Sequence, residues 1–296
     1  MKRRYVTLDV FTGRLFAGNP LAVVLEPDGL DTDAMQAVAN EFNLPETVFV
    51  LPPEDRAHRA RCRIFTPKRE LPFAGHPTVG TAVLLAILDG GKTPEFVLEE
   101  KVGPIRCRVT AGKDGGDASF ALPVLPSEVS APPPNATIAA ALGLDPADIG
   151  AGDRGPSCWS AGNPFLFVPV ASLDAVRRAS PDLAAFRALA PAYPPGMFVF
   201  SPQTAEKGND FHARMFAPAM GIVEDPATGS AVAAFAGLLG RVGRLGDGDH
   251  EVAIEQGYEM GRPSLIRLGM TIVGGQFTAV TVGGGAVIVA EGRIEA

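Results

Sequence analysis

Glu46, His76, Asp225 and Ser230 are the side chains of this chain whose types and settings suit proton transfer at a small anionic ligand. Glu46 follows Pro45 at the mouth of an apolar run, where desolvation would raise a carboxyl pKa and let one group both take and give a proton. His76 lies in Gly75-His76-Pro77 and Ser230 in Gly229-Ser230, each just ahead of an apolar segment. Asp225 precedes Pro226. Plainer readings stand beside these. Glu46 reads equally as a surface carboxylate opening a strand, His76 as a helix-start cap, and Asp225 as a turn residue.

The sequence is written twice, and its disagreements sort these readings. Arg63-Ile-Phe-Thr-Pro67 recurs as Arg214-Met-Phe-Ala-Pro218, and Ala17-Gly-Asn-Pro20 as Ala161-Gly-Asn-Pro164. Glu70 to His76 aligns without gaps on Glu224 to Ser230, and Asp33 to Val50 lies on Asp182 to Val199. Four landmarks in one order argue for duplication of a unit of about half the chain. Against that background Glu46 faces Pro195, Asp225 faces Leu71 and His76 faces Ser230. Structural residues need not differ between copies. An active site at a pseudo-symmetric interface must be made unsymmetrical somewhere.

The elements that must position these residues can be read from periodicity. A strand over Tyr5 to Phe11 and one over Leu21 to Leu25 precede an amphipathic helix over Asp33 to Phe42, which Asp31 or Thr32 can cap. Strands Thr47 to Leu51 and Arg61 to Phe65 follow; Phe165 to Val170 opens the second copy. Thr78 to Leu88 and Ser230 to Leu239 are apolar on every side, so each must be a helix surrounded by protein. Strands close the units at 95–109, 118–122, 251–254 and 265–282, with a last one at 286–290 after three glycines. The expected fold class is α+β, with two pseudo-symmetric domains, each a barrel-like, mainly antiparallel sheet around a central apolar helix. The first domain covers 1–125, completed by 284–296, and the second 126–283. Ala131 to Asn135 and Asp145 to Gly155, rich in Pro, Gly and Asp, read as the junction.

Gly75 and Gly229 stand where the two buried helices begin. A helix start carries unpaired N–H groups and partial positive charge, and glycine lets a ligand approach the backbone. Two such starts facing each other would hold one anionic group, most plausibly a carboxylate. One glycine alone would read as a tight turn; its presence in both copies, each beside a hydrogen-bonding side chain, favours the ligand.

Bulk composition narrows the partners. The 296 residues carry a net charge of −7 with no basic cluster, which excludes a nucleic-acid footprint. The longest apolar runs are too short to span a bilayer and the first residues lack a signal-peptide core, so a cytoplasmic protein without membrane partner is expected. Cys62, Cys107 and Cys158 form no C-x-x-C pair and read as small core residues. Four scattered histidines give no metal spacing, and no metal or other cofactor is expected.

Several segments together resemble the PhzF-like phenazine-biosynthesis isomerases, in the superfamily of diaminopimelate epimerase and proline racemase. They are Asp9-Val-Phe-Thr with Gly18-Asn-Pro20, Asn43-Leu-Pro-Glu-Thr47, Phe65-Thr-Pro67 with Ala74-Gly-His-Pro-Thr-Val-Gly80, Glu224-Asp-Pro-Ala-Thr-Gly-Ser-Ala231, and Gln256-Gly257 with Met260-Gly-Arg-Pro263. The resemblance implies two barrel-like halves with the site in the cleft between them, no cofactor, and a homodimer. It makes Glu46 the general acid/base, His76 and Asp225 its polar partners, and Asn19, Gly75, Gly229 and Ser230 the substrate-binding set. Pro45 departs from the pattern, standing where many members have serine. Epimerases of the superfamily carry two thiols, which would fall at Ala74 and Thr228, so two-thiol racemisation is not expected. The alternatives are an epimerase or racemase of an amino-acid-like substrate, and a non-catalytic ligand-binding or interaction protein that retains the cleft.

Overall fold

The computed structural model describes residues 1–296 except 153, 190 and 242–244. Two compact units emerge: Met1–Pro123 with Val282–Ala296, and Val124–Thr281.

Unit 1 contains β1 (Lys2–Val10), β2 (Asn19–Leu25), α1 (Thr32–Phe42), β3 (Glu46–Leu51), β4 (Ala60–Phe65), β5 (Glu70–Leu71), α2 (Gly75–Leu88), β6 (Glu95–Glu100), β7 (Gly103–Ala111) and β8 (Gly115–Ala121). Its pairing runs in a ring. β1 is antiparallel to β2, β2 parallel to β3, β3 antiparallel to β4, β4 parallel to β6, and β6, β7 and β8 pair antiparallel in turn. The C-terminal strand pairs with β8 on one side and with β1 on the other, closing the barrel. Alternation decides which side chains enter it: on β7, Ile105, Cys107 and Val109 are buried while Arg106 and Arg108 point out.

Helix α2 fills the barrel, and every residue from Gly75 to Ala86 is buried. The absence of a Cβ at Gly80 lets the helix lie against the sheet. A Cβ there would come within 2.6 Å of a Leu21 methyl and 2.7 Å of a Val10 methyl. Helix α1 packs Met35, Val38 and Ala39 on the outside, against Phe49 and Phe65. Asp31 caps it by accepting from the Ala34 N–H at 2.8 Å.

Unit 2 contains β9 (Ser127–Ser130), α3 (Asn135–Leu142), β10 (Ser157–Ser160), β11 (Pro164–Pro169), α4 (Leu173–Arg178), α5 (Leu183–Leu189), β12 (Gly196–Ser201), β13 (Phe211–Ala217), β14 (Ile222–Asp225), α6 (Gly229–Arg241), β15 (Gly248–Gln256), β16 (Ser264–Val273) and the first part of β17 (Gln276–Glu295). From β10 to β16 the pairings repeat those of unit 1, including the parallel steps β11 with β12 and β13 with β15. α6 is the buried helix here, and Phe235 at its centre meets the rings of Phe167, Phe198, Phe200 and Phe211 at 4.8–5.8 Å. The class is α+β with a mainly antiparallel sheet.

Two details differ from the sequence reading. The stretches expected as a junction belong to unit 2: Ile138, Leu142, Leu144 and Ile149 join the core under α4 and α5. The prolines there lead into α3, whose first residue follows Pro134, and Asp145 caps a short turn of helix at Pro146–Asp148. The two last strands of the reading are also partly one. β17 is continuous over twenty residues because its glycines, Gly283 and Gly285 among them, let neighbouring backbone approach where a Cβ would collide at 2.7 Å.

Candidate active site

Glu46 is the first residue of β3, opposite Leu21 of β2, and His76 is the second residue of α2. The register of β2 and the docking of α2 through Gly80 bring them together. His76 Nε2 lies 3.3 Å from Glu46 Oε2, with the two side chains 6% and 15% exposed. The imidazole also hydrogen-bonds the backbone of Pro20, which has no N–H, so its carbonyl accepts and His76 donates. Nε2 has no such bond, so the donor is Nδ1. Burial pulls the His76 pKa from its ordinary value down to about 3, the Pro20 bond offsetting only part of that. His76 is therefore a neutral imidazole whose Nε2 lone pair faces Glu46, and a hydrogen bond between them needs a proton on the carboxyl.

Gly75 opens α2 and is buried; Ala74, the cap residue, gives the first turn no side-chain acceptor. Asn19 begins β2 and is fully buried, next to the Pro20 that His76 engages. The turn before it depends on Gly18 at φ 64°, where a Cβ would come within 2.2 Å of the Val10 carbonyl oxygen.

The second group of candidates forms around α6. Asp225 ends β14, Gly229 opens the helix buried, and Ser230 is half-buried behind it. Asp225 Oδ2 accepts the Thr228 hydroxyl at 2.5 Å. Gln256 Nε2 donates to the Asp225 carbonyl at 2.7 Å and to Thr228 Oγ1 at 3.0 Å, while Gln256 Oε1 accepts the Thr228 N–H at 3.0 Å. Thr228 and Gln256 thus hold Asp225 at the helix start. Sequence alone pointed to neither as a site residue; the pair Gln256-Gly257 was the available signal.

The motif residues that match between copies form the scaffolding. Arg63 grips Glu70 through two bonds of 2.8 and 2.9 Å, and Arg214 grips Glu224 through two of 2.8 Å. Glu99 accepts the N–H groups of Glu54 and Asp55, and Glu255 those of Ala205 and Glu206. The thiols are no part of this chemistry. Cys62, Cys107 and Cys158 are free and buried, and burial pushes all three above the ordinary thiol range.

A family model described as phenazine biosynthesis-like protein (PhzC-PhzF) matches residues 8–292. The chain belongs to this family. It is 48% identical to an uncharacterized isomerase of Mesorhizobium japonicum over 99% of this chain and 98% of that one. It is 37% identical to the trans-2,3-dihydro-3-hydroxyanthranilate isomerase of Pseudomonas aeruginosa, over 98% of each. The crystal structure of the Bacillus anthracis phenazine biosynthesis protein of the PhzF family superposes with a TM-score of 0.90 over the whole of both chains, at 26% identity. This PhzF-family chain is accordingly an isomerase. The residues that the resemblance singles out fall into one group at each buried helix start.

Proposed function

We propose that this isomerase moves a proton on a small carboxylate substrate, with Glu46 as the single general acid/base and without a cofactor. The observation that carries the reading is the Glu46–His76 pair at the start of α2: a half-sequestered carboxyl against an imidazole that burial keeps neutral. A carboxyl meeting a lone pair is supported in its protonated form, and a ligand that breaks this contact lets the carboxyl release that proton to solvent, leaving a carboxylate that is a base. In the reaction Glu46 takes a proton from a substrate carbon, the C–H electron pair spreads into the conjugated system, and the new O–H returns the proton at another carbon. Atoms and charge balance with no redox partner. A substrate carboxylate is assigned to the helix start at Gly75 in unit 1, with Asn19 as a further polar contact. Gly229, Ser230 and Asp225 at the helix start of unit 2 form a polar binding group of their own. Two-thiol chemistry is not proposed, since Ala74 and Thr228 occupy the positions it would need.

The Pseudomonas relative makes dihydro-3-hydroxyanthranilate the first compound to try, within a panel of cyclic and amino-acid-like carboxylates in deuterated water. Glu46→Gln keeps shape and hydrogen-bonding reach but cannot accept a proton. Turnover and deuterium incorporation should fall by at least about 10²-fold, with ligand affinity little changed in calorimetric titration. Pro195→Ala, at the counterpart position, should leave both untouched. Glu46→Gln turning over a true substrate near the parent rate would overturn the single-base reading, and binding without exchange by the parent across the panel would overturn the proposed proton transfer.

A further inference from the structure

In each unit a threonine hydroxyl at the start of the buried helix touches the side chain at one equivalent strand position. The parallel pairs Arg61 with Glu99 and His212 with Glu255 fix that equivalence: Glu100, last in β6, corresponds to Gln256, last in β15. In unit 2 the protons balance. Thr228 donates its one hydrogen to Asp225 and accepts one from the Gln256 amide. In unit 1, Thr78 Oγ1 lies 2.8 Å from the Ala74 carbonyl oxygen and 2.7 Å from Glu100 Oε1. A carbonyl cannot donate, and a hydroxyl has one hydrogen for two acceptors. If Glu100 were ionised, one of these two short contacts would be left without a proton.

The surroundings point the same way. Glu100 is 7% exposed, its Oε2 is buried without a hydrogen-bond partner, and among the described residues no cation pairs with it. The titratable groups facing it are the buried thiols of Cys62 on β4 and Cys107 on β7, with Arg59 and Glu99 reaching only Cys62. An ion so placed would be desolvated with little compensation.

We propose that Glu100 is a positioning residue held as the neutral acid, donating its proton to Thr78. The Thr78 hydrogen then stays on the Ala74 carbonyl and fixes the first turn of α2, which carries Gly75 and His76. Burial raises the Glu100 pKa from its ordinary value to about 8. On ionisation the carboxylate would instead claim the Thr78 hydrogen and leave the Ala74 carbonyl with only the longer bond from the Thr78 N–H, at 3.2 Å. The inference deepens the isomerase reading and rests on it only for the role of His76.

Glu100→Gln in the full chain keeps a donor but cannot ionise, as Gln256 does in unit 2. A group whose pKa is raised by folding adds stability that is complete below its unfolded pKa and is lost as pH rises through the folded one. From about pH 5 to about pH 9 the urea midpoint of the parent should therefore fall relative to that of Glu100→Gln. Above about pH 8 parent turnover should drop by about tenfold per pH unit while the variant stays level, and Glu100→Ala should lose activity throughout. Parallel midpoint curves would overturn the proposal, whatever becomes of turnover. If Glu100→Gln fails to fold, the infrared carbonyl band of a buried neutral carboxyl in the parent decides. A band lost as pH rises through about 8 supports the proposal, and no such band at neutral pH refutes it.

Discussion

The proton inventory of the site turns on His76 being an imidazole that does not charge. Its depressed pKa carries a testable sign. The unfolded chain takes up a proton near the ordinary histidine value while the folded chain resists it down to about pH 3. The stability from a neutral His76 is therefore present above about pH 6.5 and is lost as pH falls toward about 3. Ring ¹⁵N shifts should show no His76 titration between about pH 5 and about pH 8, and His76→Asn should flatten the acid limb of the stability curve. A His76 resonance titrating near the ordinary value would mean that Nε2 donates to Glu46 as a cation, reversing the resting proton assignment. Much of this residue scale was legible beforehand. Glu46 and His76 stood out because their counterparts, Pro195 and Ser230, cannot do the same chemistry. Thr228, Gln256 and Glu100 did not, because their roles depend on which strand ends reach which helix start, and composition does not encode that register.

Among the elements, the two all-apolar segments were the readable ones, since a helix without a polar face has only one place to go. They became α2 and α6, and the matching motifs became the arginine–glutamate clamps beside them. Helices α3 and α4 escaped notice, being short and surrounded by turn-forming residues, whereas α5 falls on the stretch aligned with α1. Tertiary packing under β10 to β13, not local propensity, holds them. At Gly80 the fit of α2 to its barrel can be tested. Gly80→Ala would gain helix propensity, but its methyl must displace Leu21 and Val10, on the strands that set Asn19 and Pro20 beside His76. Overpacking of this kind costs about 1–3 kcal/mol, more than the propensity gain of about 1 kcal/mol. Urea unfolding should show a net loss, with exchange activity reduced as well; a more stable variant would mean that the contact is slack.

For the whole molecule, no helix is long and apolar enough to cross a membrane among the described residues. Assembly as a homodimer remains a proposal, and sedimentation showing only monomers at micromolar concentration would remove it. The ring of strands in unit 1 has a consequence in time. Its closing strand, within Val282–Ala296, follows the whole of unit 2, whereas unit 2 is one unbroken stretch, Val124–Thr281. On the ribosome residues 1–123 emerge before unit 2 yet must wait, with the free edges of β1 and β8 open, until residues 282–296 have been made. The unit translated second can finish first, and the enclosure around α2 with its Glu46–His76 pair is sealed after it. A fragment of 124–281 should show cooperative unfolding on its own, whereas 1–123 should aggregate or stay protease-sensitive until residues 282–296 are supplied in trans. The reacting groups would thus be enclosed only after the whole of unit 2 has been translated.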